Sequence, residues 1–231
     1  MTVAFIVIVI GGVVLGALAL LVHTNSSLLR VDRSIAPWGE QHMTSFAHWM
    51  LDVVTSLGSA SVIVGFTIGV LVVEMIRRPS RWVPVFLVVV VIGQTVMTRE
   101  VKDLVDRVRP TANPIAHTLG PSFPSGHTTG AAAGFAALAL VLGRGRSRNL
   151  HAALAGGAVF IACAVAASRV LLSVHWLTDV IGGLALGWGW FAVCSIAFGG
   201  RLLRLGAPRA TSPLVRPAVT DRKPAPTRVR R

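Results

Sequence analysis

Three short segments of the chain carry the residue types needed to bind and cleave a phosphate ester. They are Lys102 with Arg109, the run Pro124-Ser125-Gly126-His127, and Arg169 with His175 and Asp179. Phosphoryl transfer needs positive charge around the phosphoryl oxygens, an aligned nucleophile and a proton donor for the departing oxygen. Three fixed cations, two imidazoles and one carboxylate provide that set of groups.

In the first segment, Lys102 and Arg109 are seven residues apart. On a helix that continues beyond the membrane surface the two cations share a face, until Pro110 ends the helix. The alternative is a solvated helix end whose charges, Arg107 among them, form ordinary i, i+4 pairs such as Arg99 with Asp103 and Lys102 with Asp106.

The second segment places a proline and Ser125 at the start of an apolar helix. Backbone N–H groups without intrahelical partners and the positive end of the helix dipole favour an anion at such a terminus. Gly126 permits close approach of a ligand to the backbone. The alternative is an ordinary helix start with Ser125 as its cap.

The third segment pairs His175 with Asp179 four residues later, near the start of another helix. At this spacing the carboxylate can accept Nδ1–H and leave Nε2 bare as a nucleophile. A structural hydrogen bond is the alternative interpretation. However, a carboxylate accompanied by cations such as Arg169 within apolar segments is typical of a functional site.

The composition predicts a membrane protein. Of 231 residues, 53% are hydrophobic and only 13% are charged, about half the fraction in soluble domains. The net charge of +13 does not predict nucleic-acid binding, because the excess lies in short loops and a tail. Cys163 and Cys194 fall in apolar runs, and no carboxylate cluster is spaced for a metal, so we expect no disulfide, metal or cofactor.

Apolar stretches long enough to cross a bilayer predict an all-α, polytopic protein of six transmembrane helices. They span residues 3–22, 51–76, 82–102, 126–142, 150–172 and 176–198. We interpret the first as a retained anchor and residues 1–198 as one domain. Residues 25–50 predict an interfacial segment or a simple outer loop, and residues 199–231 a disordered basic tail.

Loop charge predicts the orientation. Fifteen of the 22 basic residues lie in the links after the second and fourth spans and in the tail. The positive-inside rule places these segments and both termini in the cytoplasm. All three motif segments then emerge on the outer face, although their residues were not used to assign the topology.

In order and spacing, the three segments resemble the motifs of the phosphatidic acid phosphatase type 2 (PAP2) superfamily, across roughly residues 51–198. The resemblance implies a helical core like that of the acid phosphatases and vanadium haloperoxidases. It also implies roles for the motif residues. His175 is the nucleophile, Asp179 orients it and His127 is the acid and base. The phosphate is held by Lys102, Arg109, Ser125, Gly126 and Arg169.

The expected function is a metal-independent lipid phosphate phosphatase of the cytoplasmic membrane that acts at the outer leaflet through a phosphohistidine. The family implies polyprenyl (undecaprenyl or decaprenyl) diphosphate, phosphatidylglycerol phosphate or phosphatidic acid as substrate, and the outward-facing site favours the first. A phosphotransferase using the same phosphohistidine and a non-catalytic lipid-binding protein are the alternatives. The expected partners are a lipid phosphate and the membrane, without nucleic acid, and the sequence leaves the oligomeric state open.

Overall fold

A computed structural model describes residues 2–24, 30–35, 44–110 and 120–204, and all regular structure in these ranges is helical. A short helical stretch covers residues 30–35. The longer helices are α1 (Thr2–His23), α2 (Ser45–Ser56), α3 (Ala60–Arg77), α4 (Trp82–Val105), α5 (Gly126–Gly143), α6 (Arg148–Leu171) and α7 (Leu177–Arg204).

Six of these helices are long and apolar enough to cross a membrane, which confirms the predicted number of spans. The second span is shorter than predicted, because residues 51–76 are divided into α2 and α3. The chain turns at Gly58, where an added Cβ would lie 2.7 Å from the His127 carbonyl oxygen. Ser59 then caps α3, its hydroxyl accepting from Val62 N at 3.4 Å.

Helix α5 is the centre of the bundle and packs against α3, α4, α6 and α7. Its inner residues are small, and Ala131, Ala133 and Ala137 are fully buried. On α7, a Cβ added to Gly187 would lie 2.6 Å from the Thr129 carbonyl oxygen. The helices therefore pack closely through small residues, as in other membrane bundles.

Helix α1 packs along α7 and leaves much of its surface for lipid. Val3, Phe5 and Val13 are all more than 60% exposed. Of the predicted interfacial segment, only residues 30–35 and 44–50 are described, and Asp32 within it is 1% exposed. Helix α7 extends beyond the predicted end at residue 198, and residues 205–231 lie outside the described ranges.

Because successive spans run in opposite directions, four helix ends meet at one end of the bundle. They are the carboxyl ends of α4 and α6 and the amino ends of α5 and α7. These are the positions of the three motif segments.

Candidate active site

Lys102 and Arg109 converge by a route that differs from the prediction. Helix α4 ends at Val105, and Asp106 has left-handed backbone geometry with φ 43°, so Arg109 lies beyond the helix. Lys102 Nζ donates to the carbonyl oxygen of Pro121, to which Arg109 Nη2 also donates at 3.3 Å. The prediction that Lys102 and Arg109 share a helical face is therefore wrong. The alternative interpretation, in which Lys102 pairs with Asp106, is also wrong, because Lys102 contacts Pro121. The segment before α5 brings the two cations together.

His175 lies between a carboxylate and a guanidinium. Its Nδ1 is 3.3 Å from Asp179 Oδ2, and its Nε2 is 3.2 Å from Arg109 Nη1. Asp179 is fully buried and also accepts from Trp176 N at 3.0 Å. When the ring donates through Nδ1, Nε2 carries its lone pair toward Arg109.

Asp179 has a second cationic partner that sequence reasoning did not assign to the site. Arg107 Nη1 lies 2.5 Å from Asp179 Oδ1, and its Nη2 lies 2.8 Å from Asp32 Oδ2. Thr178 completes the cluster, its hydroxyl donating to Asp32 at 2.6 Å. The Arg107 guanidinium also lies 5.4 Å from the ring centroid of Trp176. A continuous buried network therefore connects the residue 30–35 helix to the imidazole of His175.

One signal in the sequence could have indicated part of this network. Arg107 and Arg109 are two residues apart, a spacing that places two side chains on the same side of a segment that is not helical but extended. That pattern was hidden by the assumption that the helix continued to Pro110. Asp32 carries no comparable signal, because its partners are 75 and 146 residues away in the sequence.

Arg169 reaches the site from the last turn of α6. It is 7% exposed, and its Nη1 donates to Thr55 Oγ1 at 3.1 Å. Its Nε has no hydrogen-bond partner among the described residues. A buried guanidinium N–H without an acceptor is costly, so Arg169 retains a donor for an incoming oxyanion.

The start of α5 supplies the remaining residues. Ser125 N donates to the Asp179 carbonyl oxygen at 3.0 Å, which fixes the first turn of α5 against α7. The Ser125 hydroxyl does not cap the helix. Instead it accepts from Thr128 Oγ1 at 3.1 Å and keeps its own proton to donate. Gly126 and His127 are half-buried in a turn whose N–H groups have no intrahelical acceptor.

The site concentrates positive charge. Lys102 experiences the charges of Arg109, Asp179 and Arg169, and His127 those of Arg169 and Arg109 as well as the ring of His175. Burial lowers the pKa of Arg109, and the nearby Asp179 charge opposes that shift. Lys102, Arg109 and Arg169 repel one another, and a bound anion would relieve that repulsion.

Burial also lowers the pKa of His175, to about 4, although the hydrogen bond to Asp179 and its charge act in the opposite direction. The ring is therefore neutral at pH 7. We expect the ¹⁵N resonances of His175 to titrate near pH 4, well below the ordinary value of 6.5. Asp179→Asn removes the carboxylate charge and weakens the hydrogen bond to the ring, the two effects that raise the pKa of His175, so the His175 midpoint falls further. A His175 midpoint near 6.5 would contradict this environment.

No group of three or more His, Cys, Asp or Glu residues is arranged to hold a metal ion within the described ranges. Besides the two imidazoles and the Asp179 carboxylate, the polar groups assigned to the site are hydrogen-bond donors. Such a set fits an oxyanion.

A sequence profile described as the PAP2 superfamily matches residues 83–202, about half of the chain and all three motif segments. The chain belongs to the PAP2 superfamily.

Named relatives agree with this assignment. The PAP2 chain is 29% identical over 183 residues to phosphatidylglycerophosphatase B of Bacillus subtilis (strain 168), covering 74% of this chain and 84% of that protein. It is 34% identical over 124 residues to lipid A 1-phosphatase of Rhizobium etli, covering 48% of each. The protein is thus a lipid phosphatase with several membrane spans.

Two solved structures share the PAP2 fold. The transmembrane PAP2 type phosphatidylglycerolphosphate phosphatase from Bacillus subtilis superimposes with a TM-score of 0.78 at 26% identity, covering 84% of this chain and 96% of that one. LpxE of Aquifex aeolicus superimposes with a TM-score of 0.52 at 21% identity, covering 72% of this chain and 93% of that one. This likeness is one of fold alone.

Proposed function

We propose that the protein hydrolyses a lipid phosphate headgroup through a phosphohistidine on His175, without a metal ion. The supporting observation is the placement of the His175 ring. One nitrogen faces the buried Asp179 carboxylate, and the other faces the Arg109 guanidinium at 3.2 Å. A neutral imidazole held by a carboxylate and directed at a cation is prepared to attack an anion bound by that cation.

In the first step, Nε2 of His175 attacks phosphorus and forms a P–N bond, while the bond from phosphorus to the departing oxygen breaks. His127 donates a proton to that oxygen, and Asp179 stabilises the cationic ring. In the second step, His127 removes a proton from water as the water attacks phosphorus. The P–N bond breaks, which releases inorganic phosphate and regenerates free His175.

We assign five hydrogen-bond donors to the phosphoryl oxygens. These are Lys102, Arg109, the unpaired Nε of Arg169, the Gly126 N–H and the Ser125 hydroxyl. A phosphoryl oxygen on Arg109 replaces the contact between this guanidinium and Nε2, and so frees the lone pair. Fixed donors directed at charge that develops during transfer stabilise the transition state in the manner that divalent ions do in other enzymes.

Chelation gives a direct test of metal independence. We expect phosphate release by the purified protein in excess EDTA to stay within about twofold of the rate without EDTA, because fixed cations carry the neutralising charge. Arg109→Gln, which removes one cation, should lower kcat by roughly 10²- to 10³-fold in the same assay. Loss of turnover in EDTA, restored by added Mg²⁺, would show that the mechanism needs a metal.

For the substrate we propose phosphatidylglycerol phosphate first, because the relative covered over 84% of its length is named for that activity. Polyprenyl diphosphate is the second candidate, and it depends on an outward-facing site. A panel of both lipids and phosphatidic acid, with phosphate release measured in detergent, ranks them by kcat/KM. Lipid product analysis in the presence of alcohol acceptors detects a phosphotransferase, which would pass the phosphoryl group to the acceptor in place of water.

We also propose that the protein lies in the cytoplasmic membrane with both termini inside and the site outside. The arginine clusters after α3 and α5 lie at the bundle end opposite to His175, as the positive-inside rule requires for that orientation. The catalytic domain then extends to Arg204, where α7 ends, beyond the predicted boundary at residue 198, and residues 205–231 are a basic cytoplasmic tail. Green fluorescent protein fused to the tail tests this orientation. The reporter folds and fluoresces when the carboxyl terminus is cytoplasmic, and it stays non-fluorescent when that terminus is external.

A further inference from the structure

The end of the bundle opposite to His175 carries a second positively charged cavity, of about 610 Å³. It lies where α3 and α5 end and α6 begins. We name it the arginine pocket for its polar lining, which consists of Glu74, Arg77, Arg78, Arg144, Arg146 and Ser147. Four arginines face a single carboxylate there, so the pocket has an excess of positive charge.

Arg144 provides a charged group with unused hydrogen-bonding capacity. Its side chain is 7% exposed, and its Nη1 lies 3.5 Å from Glu74 Oε2. Neither of these two atoms makes a hydrogen bond within the described part of the chain. A buried ion pair normally satisfies its remaining donors and acceptors, so among the described residues the Arg144 Nη1 donor still lacks an acceptor at hydrogen-bonding geometry.

The pocket is held in shape by Arg78. Its Nη1 donates to the Arg144 carbonyl oxygen at 3.0 Å, and its Nη2 to the Gly145 carbonyl oxygen at 3.5 Å. Gly145 has φ +62°, and a side chain at this position would meet the Arg78 guanidinium. The loop between α5 and α6 is therefore fixed, while Arg77 and Arg146 are exposed at its edge and have no acidic partner in the described ranges.

The first turn of α6 adds a further attraction for anions. Ser147 caps this helix through Leu150 N at 3.4 Å and lines the cavity. The remaining N–H groups of the turn place the positive end of the helix dipole at the pocket. On the neighbouring surface Val72, Val73 and Ile76 are exposed, so the pocket borders the lipid-facing part of the bundle.

We propose that the arginine pocket is a second phosphate-anion site, separate from the site of hydrolysis. A phosphate oxygen supplies the acceptor that Arg144 lacks, and Arg77 and Arg146 close over the remaining oxygens. Two sources present this chemistry, namely the phosphodiester of an anionic lipid headgroup and free inorganic phosphate. The border with the lipid-facing surface favours the headgroup.

The test compares Arg146→Gln with Arg148→Gln, which removes the same charge from an exposed arginine two residues away that does not line the cavity. Native mass spectrometry measures retention of phosphatidylglycerol and of phosphatidylcholine by the purified protein. Thermal unfolding with added inorganic phosphate measures binding of the free ion. The candidate active site is the same in both variants, so any difference between them arises at the pocket.

We expect Arg146→Gln to weaken phosphatidylglycerol binding by about 5- to 10-fold, a moderate effect for a partly solvated charged hydrogen bond, and Arg148→Gln by less than twofold. A difference seen with phosphatidylglycerol alone assigns the headgroup, and one seen with inorganic phosphate alone assigns the free ion. Equal binding by both variants in both assays would overturn the site. Phosphate release by Arg146→Gln stays within about twofold of the unchanged protein, so this outcome is independent of the proposed reaction.

Discussion

We expect His175→Ala to lower kcat for phosphate release by roughly 10⁴-fold or more, because the proposed reaction has no covalent path without the attacking side chain. The measurement is release of inorganic phosphate from the preferred lipid at saturating concentration. The matched control is His151→Ala, since His151 lies on α6 near the opposite end of the bundle. We expect that control to retain activity within about twofold.

A labelling experiment distinguishes a covalent intermediate on His175 from a role of this ring in binding alone. With an aryl phosphate the departing group needs no proton, so His127→Ala still forms the phosphohistidine but lacks the base that hydrolyses it. Acid-labile, alkali-stable ³²P label should therefore accumulate on His127→Ala and be absent from His127→Ala/His175→Ala. Label that persists without His175 would place the phosphoryl group on a different residue and refute the mechanism.

The second large effect concerns Arg107, which the network makes a positioning residue for Asp179 and His175. Arg107→Gln leaves the buried carboxylates of Asp32 and Asp179 without their shared cation. Loss of one partner from a buried ion pair costs about 3–5 kcal/mol of folding stability. We expect a correspondingly lower midpoint of unfolding in detergent, with kcat reduced about 10²-fold and KM changed little.

A double variant distinguishes positioning from simple loss of stability. Arg107→Gln/Asp32→Asn removes one of the two stranded charges, so it should recover part of the stability while kcat stays low. Arg99→Gln is the matched control, since Arg99 is exposed near the carboxyl end of α4, a short distance along the chain before Arg107. An Arg107→Gln protein with unchanged stability and unchanged kcat would show that the network does not support catalysis.

The sequence predicted the elements whose signals are local. Runs of apolar residues about 20 long correspond to single spans, because only a helix satisfies its backbone groups in lipid. The number of spans and the meeting of the motif segments at one end of the bundle follow from that rule. The i, i+4 spacing of His175 and Asp179 likewise indicated their contact correctly, although His175 precedes α7 and reaches Asp179 from the segment before the helix.

Features that depend on distant contacts could not be predicted. Residues 51–76 form a continuous apolar pattern, yet the chain turns at Gly58, where it contacts the His127 backbone. The end of α4 at Val105 was missed because Asp106 adopts a left-handed geometry that few side chains favour. Arg107 therefore looked like a surface charge, and Asp32 had no local pattern to distinguish it.

Two polar contacts of the candidate active site involve residues outside the stretch that the superfamily profile covers. Asp32 binds Arg107, and Thr55 accepts from Arg169, yet both precede residue 83. A fragment trimmed to the matched residues would contain every motif side chain but would lack the acceptors that hold two of its guanidinium groups. A homologue that keeps both arginines but differs ahead of the first motif would have to anchor them by other means. We therefore expect that exchanging the motif region alone does not transfer activity between family members.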